Sequence, residues 1–152
     1  MSWHDAYTTL LDSRIPETED THIRARLYNL FRDAGDIYRE FSGSDHPLYS
    51  RMGMPLECLA IAFELHAAVA SRNERDAAFD LLVGDGLIAL AFKMAIDVNE
   101  DAYRICRELS LMLIDEPDPR RIIRQSITKG HVVHIDLKTA DSMKTNNHGG
   151  SE

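Results

Sequence analysis

A segment of mainly apolar residues that contains a glycine near its end occurs twice in this chain. The spacing between the two copies constrains the fold more than any other feature. The first copy runs from Ala77 to Ile88 and the second from Arg121 to Val132. Gly86 and Gly130, at matching points of the two copies, are 44 positions apart (130 − 86). Solenoid repeats of two or three helices have about this length. The spacing therefore predicts a helical array, an architecture that commonly binds other proteins.

Size and charge narrow the class further. A chain of 152 residues suits a single domain, which can bury a core without disulfides or a metal. With 25 acidic and 17 basic residues, the formal charge of −8 opposes attraction to nucleic acids and to anionic lipid. We therefore expect neither a nucleic acid nor a membrane as partner. The N-terminal residues show no secretory signal, and Cys58 and Cys106 lie in apolar helical patterns typical of buried, reduced thiols, so we expect a cytoplasmic protein.

The N-terminal third predicts two capping helices within residues 1–45. Trp3 to Ser13 is predicted as a short helix. Asp20 to Phe41 is predicted as one longer amphipathic helix, because its apolar residues share one face at 100° per residue, and Ser42-Gly43-Ser44 ends it.

The central and C-terminal parts predict five more helices. From Leu56 to Ala70 only Glu57, Glu64 and His66 are polar, so this helix should be nearly surrounded by protein. Four helices should follow. The first is capped by Asn73 and ends at Gly84 or Gly86, and the second is a buried helix from Leu87 to Ile96. The third is capped by Asn99 and runs to Asp115, and the fourth runs from Pro119 to Thr128. The segment from His131 to Leu137 is compatible with a strand or a helix. One helical domain over residues 1–140 and a disordered tail over residues 141–152 are predicted.

The alternation of short helices, glycine junctions and apolar helices resembles the armadillo family. The junctions that carry this resemblance are Met52-Gly53-Met54-Pro55-Leu56, Val83 to Leu90, and Asp118 to Val132. The resemblance covers Met52 to Leu137. It implies an all-α, short right-handed helical array, armadillo-like or HEAT-like, of about seven helices, with repeat-like helices over residues 50–137 behind the N-terminal caps.

An array of two units is shorter than the three that repeat proteins usually need for stability. Its C-terminal end should therefore fold back, pair with a second copy or meet another protein. The apolar residues available for a homodimer at this end are Val132, Val133, Ile135 and Leu137.

The predicted protein-binding surface consists of residues on two helices, the apolar helix from Leu56 to Ala70 and the helix capped by Asn99. We expect the members to form one wall of a groove, and the alternative is the ordinary solvent face of an array. The predicted contact residues are Glu57, Glu64, Arg104, Arg107, Glu108 and Leu111. The predicted function is a protein-binding module that acts as an adaptor, inhibitor or regulatory subunit.

The alternative function is a helical-bundle enzyme, or a sensor of a small molecule or metal. His131 and His134, three residues apart, would share a helix face and could bind zinc, but no third ligand stands at a convincing spacing, so no cofactor is predicted. His66 could transfer protons or be a hydrogen-bonded interior histidine. Gly84-Asp85-Gly86 lacks the lysine of a phosphate loop and is predicted to be a turn. The basic cluster of Arg120, Arg121, Arg124 and Lys129 is predicted to be a solvated helix face.

Overall fold

A computed structural model describes residues 2–14 and 21–128, and every regular element in these two ranges is a helix. The prediction of an all-α protein is therefore confirmed for this part of the chain. The seven α-helices are α1 (Trp3–Arg14), α2 (Thr21–Arg32), α3 (Asp36–Ser42), α4 (Gly53–Ala68), α5 (Glu74–Val98), α6 (Glu100–Leu113) and α7 (Pro119–Thr128). Short 3-10 turns at Tyr49–Arg51 and Val69–Ser71 precede and follow α4.

The start of each long C-terminal helix follows a local sequence signal. The side chain of Asn73 accepts a hydrogen bond from the backbone N–H of Asp76, and Asn99 accepts one from Ala102. Each asparagine thus satisfies a backbone donor that the first turn leaves without a helical partner. Pro119 is the first residue of α7, where a missing N–H has no structural cost. These predicted helix starts are confirmed.

Helix α4 is the centre of the core. It packs against α3, α5, α6 and α7, and most of its side chains from Pro55 to Leu65 are buried. The prediction that this helix is nearly surrounded by protein is confirmed. By length and composition alone, the segment Gly53–Ser71 could cross a membrane, with a mean hydropathy of 1.3. The protein buries 61% of the most apolar 18-residue stretch of this segment, as expected for the core helix of a globular protein. The resemblance to a membrane span is therefore weak evidence that the segment crosses a membrane.

The predicted single helix from Asp20 to Phe41 is wrong, because the chain breaks between α2 and α3. Gly35 has a φ of 113°, a left-handed conformation that strongly favours glycine. A Cβ at this position would also lie 2.7 Å from the ring of Trp3. The Trp3 indole N–H in turn donates to the carbonyl oxygen of Phe31 at 2.7 Å, which satisfies one acceptor at the end of α2.

The predicted turn at Gly84-Asp85-Gly86 is also wrong, since these residues lie inside the continuous helix α5. Gly84 serves close packing of α4 and α5, because a Cβ there would lie 2.6 Å from Nε2 of His66. The second armadillo-like junction is therefore absent. Gly130, in the second copy of the repeated segment, lies outside the described residues.

The exposed surface of α5 contradicts a further prediction. The sequence predicts a buried helix from Leu87 to Ile96 with Lys93 as its one polar side chain, yet Ala89 and Ile96 are exposed as well as Lys93, and Ile96 keeps 59% of its surface. The C-terminal half of α5 is thus buried on the face toward α4 and α6 and open elsewhere. On helix α6, apolar residues at helical spacing predict a buried stripe of Ala102, Ile105, Cys106, Leu109, Met112 and Leu113. All of them are buried except Met112, which is 43% exposed.

Candidate functional site

An apolar groove lies between the α1–α2 pair and one face of α5. Its volume is about 400 Å³, which is within the usual range of ligand-binding pockets. Eleven residues line it: Leu11, Arg14, Ile23, Leu27, Phe79, Leu82, Val83, Gly86, Leu87, Leu90 and Lys93. The groove is therefore apolar except for two basic side chains.

The groove has a buried floor and an open rim. Leu11 and Leu87 belong to the core, with 1% and 3% of their surfaces exposed, whereas Leu82 is 72% exposed. Gly86 contributes open space, since a Cβ placed on it would meet no atom within 4 Å. Single exposed leucines are common on protein surfaces, but here the exposed rim and the buried floor form one continuous apolar surface.

Both charged residues of the groove are basic. Arg14 ends α1 and Lys93 lies in the second half of α5, and both are exposed. Within residues 2–14 and 21–128 the structure gives neither of them an ion pair. This arrangement contrasts with the acidic chain as a whole, in which carboxylates outnumber basic side chains by 25 to 17. The groove therefore presents positive charge beside an apolar surface.

The sequence-based prediction missed this groove because it divided α5 at its glycines. On a continuous helix, Phe79, Leu82, Val83, Leu87 and Leu90 fall on one arc of about 140°, at 100° per residue. Ala91 and Ala95 fall on a neighbouring arc, which is buried in the core. A helical wheel drawn over the whole of α5 would have shown this unusually broad apolar surface. It would not have shown whether another element covers part of it.

The predicted contact residue Glu57 is part of the core instead of the surface. Its side chain is 0% exposed, and its two oxygens bind Arg120 of α7 and the backbone N–H of Tyr38 of α3. An unpaired carboxylate buried at this depth would strongly destabilise the folded state, so the fold requires these two partners. A direct contact between Glu57 and another protein is therefore excluded in this conformation. Glu64, which is about half exposed, accepts a hydrogen bond from Arg120 at 2.8 Å.

The predicted solvated basic face of α7 is likewise corrected for two arginines. Arg120, whose side chain is only 15% exposed, also pairs with Asp36, and Arg124 pairs with Asp36 and Glu40. These ion pairs attach α7 to α3 and α4. Arg121 is half exposed and pairs with Glu116, and Lys129 lies outside the described residues.

Burial and charge shift the pKa values of this ion-pair network in opposite directions. Burial acts to raise the pKa of Asp36, but the hydrogen bond from Arg124 and the charge of Arg120 lower it overall. At Glu64 burial prevails over Arg120, so the pKa of its carboxyl group is raised. Burial alone would lower the pKa of Arg120, yet Glu57 and Glu64 raise it, and the guanidinium group stays charged.

The charged contact residues predicted on α6 take their ion-pair partners from α6 itself. Arg104 pairs with Glu100, and Arg107 lies near Glu108, so these charges are paired within their own helix. Leu111 is 62% exposed, as expected for a side chain that points away from the buried stripe. No ion pair between described residues connects these α6 side chains with Glu57 or Glu64. Because Glu57 is fully buried, the predicted groove wall does not include it, and a wall formed by the remaining residues stays a prediction.

His66 lies at the α4–α5 contact and does not line the apolar groove. Its ring is 24% exposed, with Nε2 3.3 Å from Oδ1 of Asp85. Both cysteines are buried, and burial raises the pKa of the Cys58 thiol strongly and that of Cys106 to about 12. Thiols in this state are poor nucleophiles at neutral pH, so a reaction of either cysteine with His66 as base has no geometric support.

The candidate metal ligands and the predicted dimer contact both lie outside the described residues. Residues 2–14 and 21–128 contain no group of three or more His, Cys, Asp or Glu side chains that could hold a metal ion. His131 and His134, the candidate zinc ligands, lie outside the described residues, as do the apolar residues Val132, Val133, Ile135 and Leu137.

Comparisons of the chain with models of protein families, with curated proteins and with solved structures found no match. A functional conclusion therefore depends on the geometry and charge of the groove between α1, α2 and α5.

Proposed function

We propose that this protein is a protein-binding helical module, and that the apolar groove between α1, α2 and α5 is its binding surface. The observation that supports this function is the open apolar rim, at which Leu82 keeps 72% of its surface in water. Covering apolar surface of this kind contributes a favourable free energy of about 25 cal/mol per Å² removed from water, from which the entropic costs of association are subtracted. A partner that covers the rim would thus gain affinity without any change in the core.

The openness of the rim favours a macromolecule over an enclosed small molecule. Small-molecule pockets usually bury most of the ligand surface, whereas here Ile23 and Leu82 of the lining are themselves 37% and 72% exposed. In this proposal the protein acts as a small adaptor, inhibitor or regulatory subunit, with an armadillo-like or HEAT-like helical arrangement. A cytoplasmic location and a homodimer through Val132, Val133, Ile135 and Leu137 stay predictions.

Site-specific crosslinking in the native cell tests this function. A photoreactive benzoylphenylalanine would replace Leu82 in the groove, and in separate proteins Ile96 or Leu111. Ile96 is a matched control, because it lies on the same helix, is 59% exposed and does not line the groove. Leu111 reports on the α6 surface predicted from sequence.

We expect one defined protein adduct from position 82 and none from position 96. The variant Gly86→Phe, which fills the groove from a position with free space around its Cβ, should suppress that adduct. Equal adducts from positions 82 and 96, or no adduct from position 82 under conditions that label a known complex, would contradict the proposal. An adduct from position 111 alone would assign binding to α6 instead.

A further inference from the structure

We infer that the groove binds an acidic amphipathic helix of a partner protein. This inference rests on the proposed function, since it names the occupant of the same groove. Three observations carry it: the shape of the groove, the sign of its charges, and a lining that is mainly aliphatic, with Phe79 as its single aromatic residue.

The shape of the groove suits a helix. Its walls are helices α1 and α2 on one side and α5 on the other, and its lining on α5 extends from Phe79 to Lys93. These positions span about 21 Å along the helix axis, at 1.5 Å per residue, which equals roughly four helical turns. A third helix placed in such a groove presents apolar side chains at i, i+3, i+4 and i+7, one turn after another.

The charges of the groove select an acidic partner. Arg14 and Lys93 are the charged residues of the lining, both are exposed, and neither has an ion pair within the described residues. A helix whose apolar stripe is bordered by Glu or Asp would provide these pairs, whereas a basic helix would place like charges together. The selection is local, because the chain as a whole carries a formal charge of −8 and would repel an acidic partner elsewhere.

Other modes of peptide recognition lack their requirements in the described residues. Addition of a strand needs an exposed sheet edge, and residues 2–14 and 21–128 contain no strand. Recognition of proline-rich segments needs a groove lined by aromatic rings, and Phe79 is the single aromatic residue of this lining. The apolar lining is instead the surface that an amphipathic helix recognises.

Synthetic helical peptides of about 18 residues test the inference with the full-length protein. The first has a leucine stripe bordered by glutamates, the second has lysines in place of those glutamates, and the third has the residues of the first in an order without a stripe. Fluorescence anisotropy of labelled peptides gives the dissociation constants. We expect saturable binding of the acidic peptide, binding of the basic peptide at least about tenfold weaker, and no saturable binding of the third.

Charge reversal in the groove should invert this preference. The double variant Arg14→Glu with Lys93→Glu should bind the basic peptide better than the acidic one. The double variant Arg39→Glu with Arg51→Glu is the matched control, since it changes the net charge equally at exposed residues outside the groove. It should still bind the acidic peptide better than the basic one, although the added negative charge should modestly reduce its affinity for the acidic peptide.

The controls separate a failure of the inference from a failure of the proposed function. Leu82→Gln leaves the net charge unchanged and should weaken binding of the acidic peptide, whereas Ile96→Gln should not weaken it. Equal binding of acidic and basic peptides, both weakened by Leu82→Gln, would overturn the acidic helix and retain the groove as a binding surface. Peptide binding that is insensitive to Leu82→Gln would overturn both.

Two other occupants would also overturn the inference. Concentration-dependent dimerisation in analytical ultracentrifugation, abolished by Leu82→Gln but not by Ile96→Gln, would show that a second copy of this chain occupies the groove. Flotation with vesicles of anionic phosphatidylglycerol, reduced by Leu82→Gln while the acidic peptide does not bind, would show that the groove meets a lipid surface.

Discussion

Two glycines of α5 make a direct test of the helix packing, because they differ in what surrounds them and not in their secondary structure. Replacing glycine by alanine inside a helix stabilises it by about 1 kcal/mol through intrinsic propensity. At Gly86 the added methyl group meets no atom within 4 Å, so this gain should be fully realised. For a domain of this size, 1 kcal/mol corresponds to an increase of about 2–4 °C in the melting temperature.

Gly84→Ala should not show this gain. Its methyl group would lie 2.6 Å from Nε2 of His66 and 3.3 Å from the carbonyl oxygen of Ala62. The ring would have to move, and overpacking of this kind usually costs about 1–3 kcal/mol. We therefore expect the free energy of unfolding of Gly84→Ala to be about 1–3 kcal/mol below that of Gly86→Ala, measured by urea denaturation monitored by circular dichroism.

A double-mutant cycle identifies the cause of that difference. His66→Ala removes the ring that occupies the space above Gly84, so Gly84→Ala should recover most of its propensity gain in that background. The crowding at the Ala62 carbonyl oxygen would remain. Equal stabilisation by Gly84→Ala and Gly86→Ala in the wild-type background would refute the claim that Gly84 allows close packing of α4 and α5.

Three further predictions concern the buried ion pairs and thiols. Arg120→Met should lower the free energy of unfolding by about 3–5 kcal/mol in urea denaturation, because it leaves the carboxylate of Glu57 buried without its charge partner, and a loss below about 1 kcal/mol would contradict this role. Asp36→Asn should lower the melting temperature at pH 7, because a carboxyl group with a lowered pKa stabilises the fold while it is ionised. The difference from wild type should disappear as the pH falls below the usual pKa of an aspartate and Asp36 becomes protonated. A difference that does not depend on pH would exclude ionisation as its source. Cys58 and Cys106 should not react with a thiol reagent in the native protein and should react fully in denaturant, and fast labelling without unfolding would contradict their burial.

Much of the fold could be predicted from sequence where local chemistry determines it. Asn73 and Asn99 cap helices, and Pro119 begins one, because these residues satisfy or omit the backbone donors of a first turn. The burial of α4 could also be predicted, since a helix with so few polar residues has no face for water.

The meaning of each glycine could not be predicted, because it depends on tertiary contacts. Gly35 breaks a helix that its apolar pattern would have continued, since the ring of Trp3 and a positive φ require a residue without a Cβ. Gly84 stays helical, and the ring of His66 uses the space that it leaves. The same residue type therefore marks an end in one helix and a close contact in another.

The candidate site could be predicted even less than the fold. Glu57 was expected to contact a partner because its helix is otherwise apolar, yet the same apolar surroundings bury it with Arg120. Leu82 belongs to an apolar pattern that resembles a core pattern. Whether such a face is covered depends on elements distant in sequence, and periodicity within one helix carries no information about them.

The position of Trp3 provides the protein with its own optical signal. Trp3 is the single tryptophan of the chain, and its ring lies among Tyr7, Phe31 and Tyr38. It belongs to α1, the helix that also brings Leu11 to the groove. A displacement of α1 by an occupant would change the surroundings of this one fluorophore, so unlabelled protein would report the event through its emission spectrum.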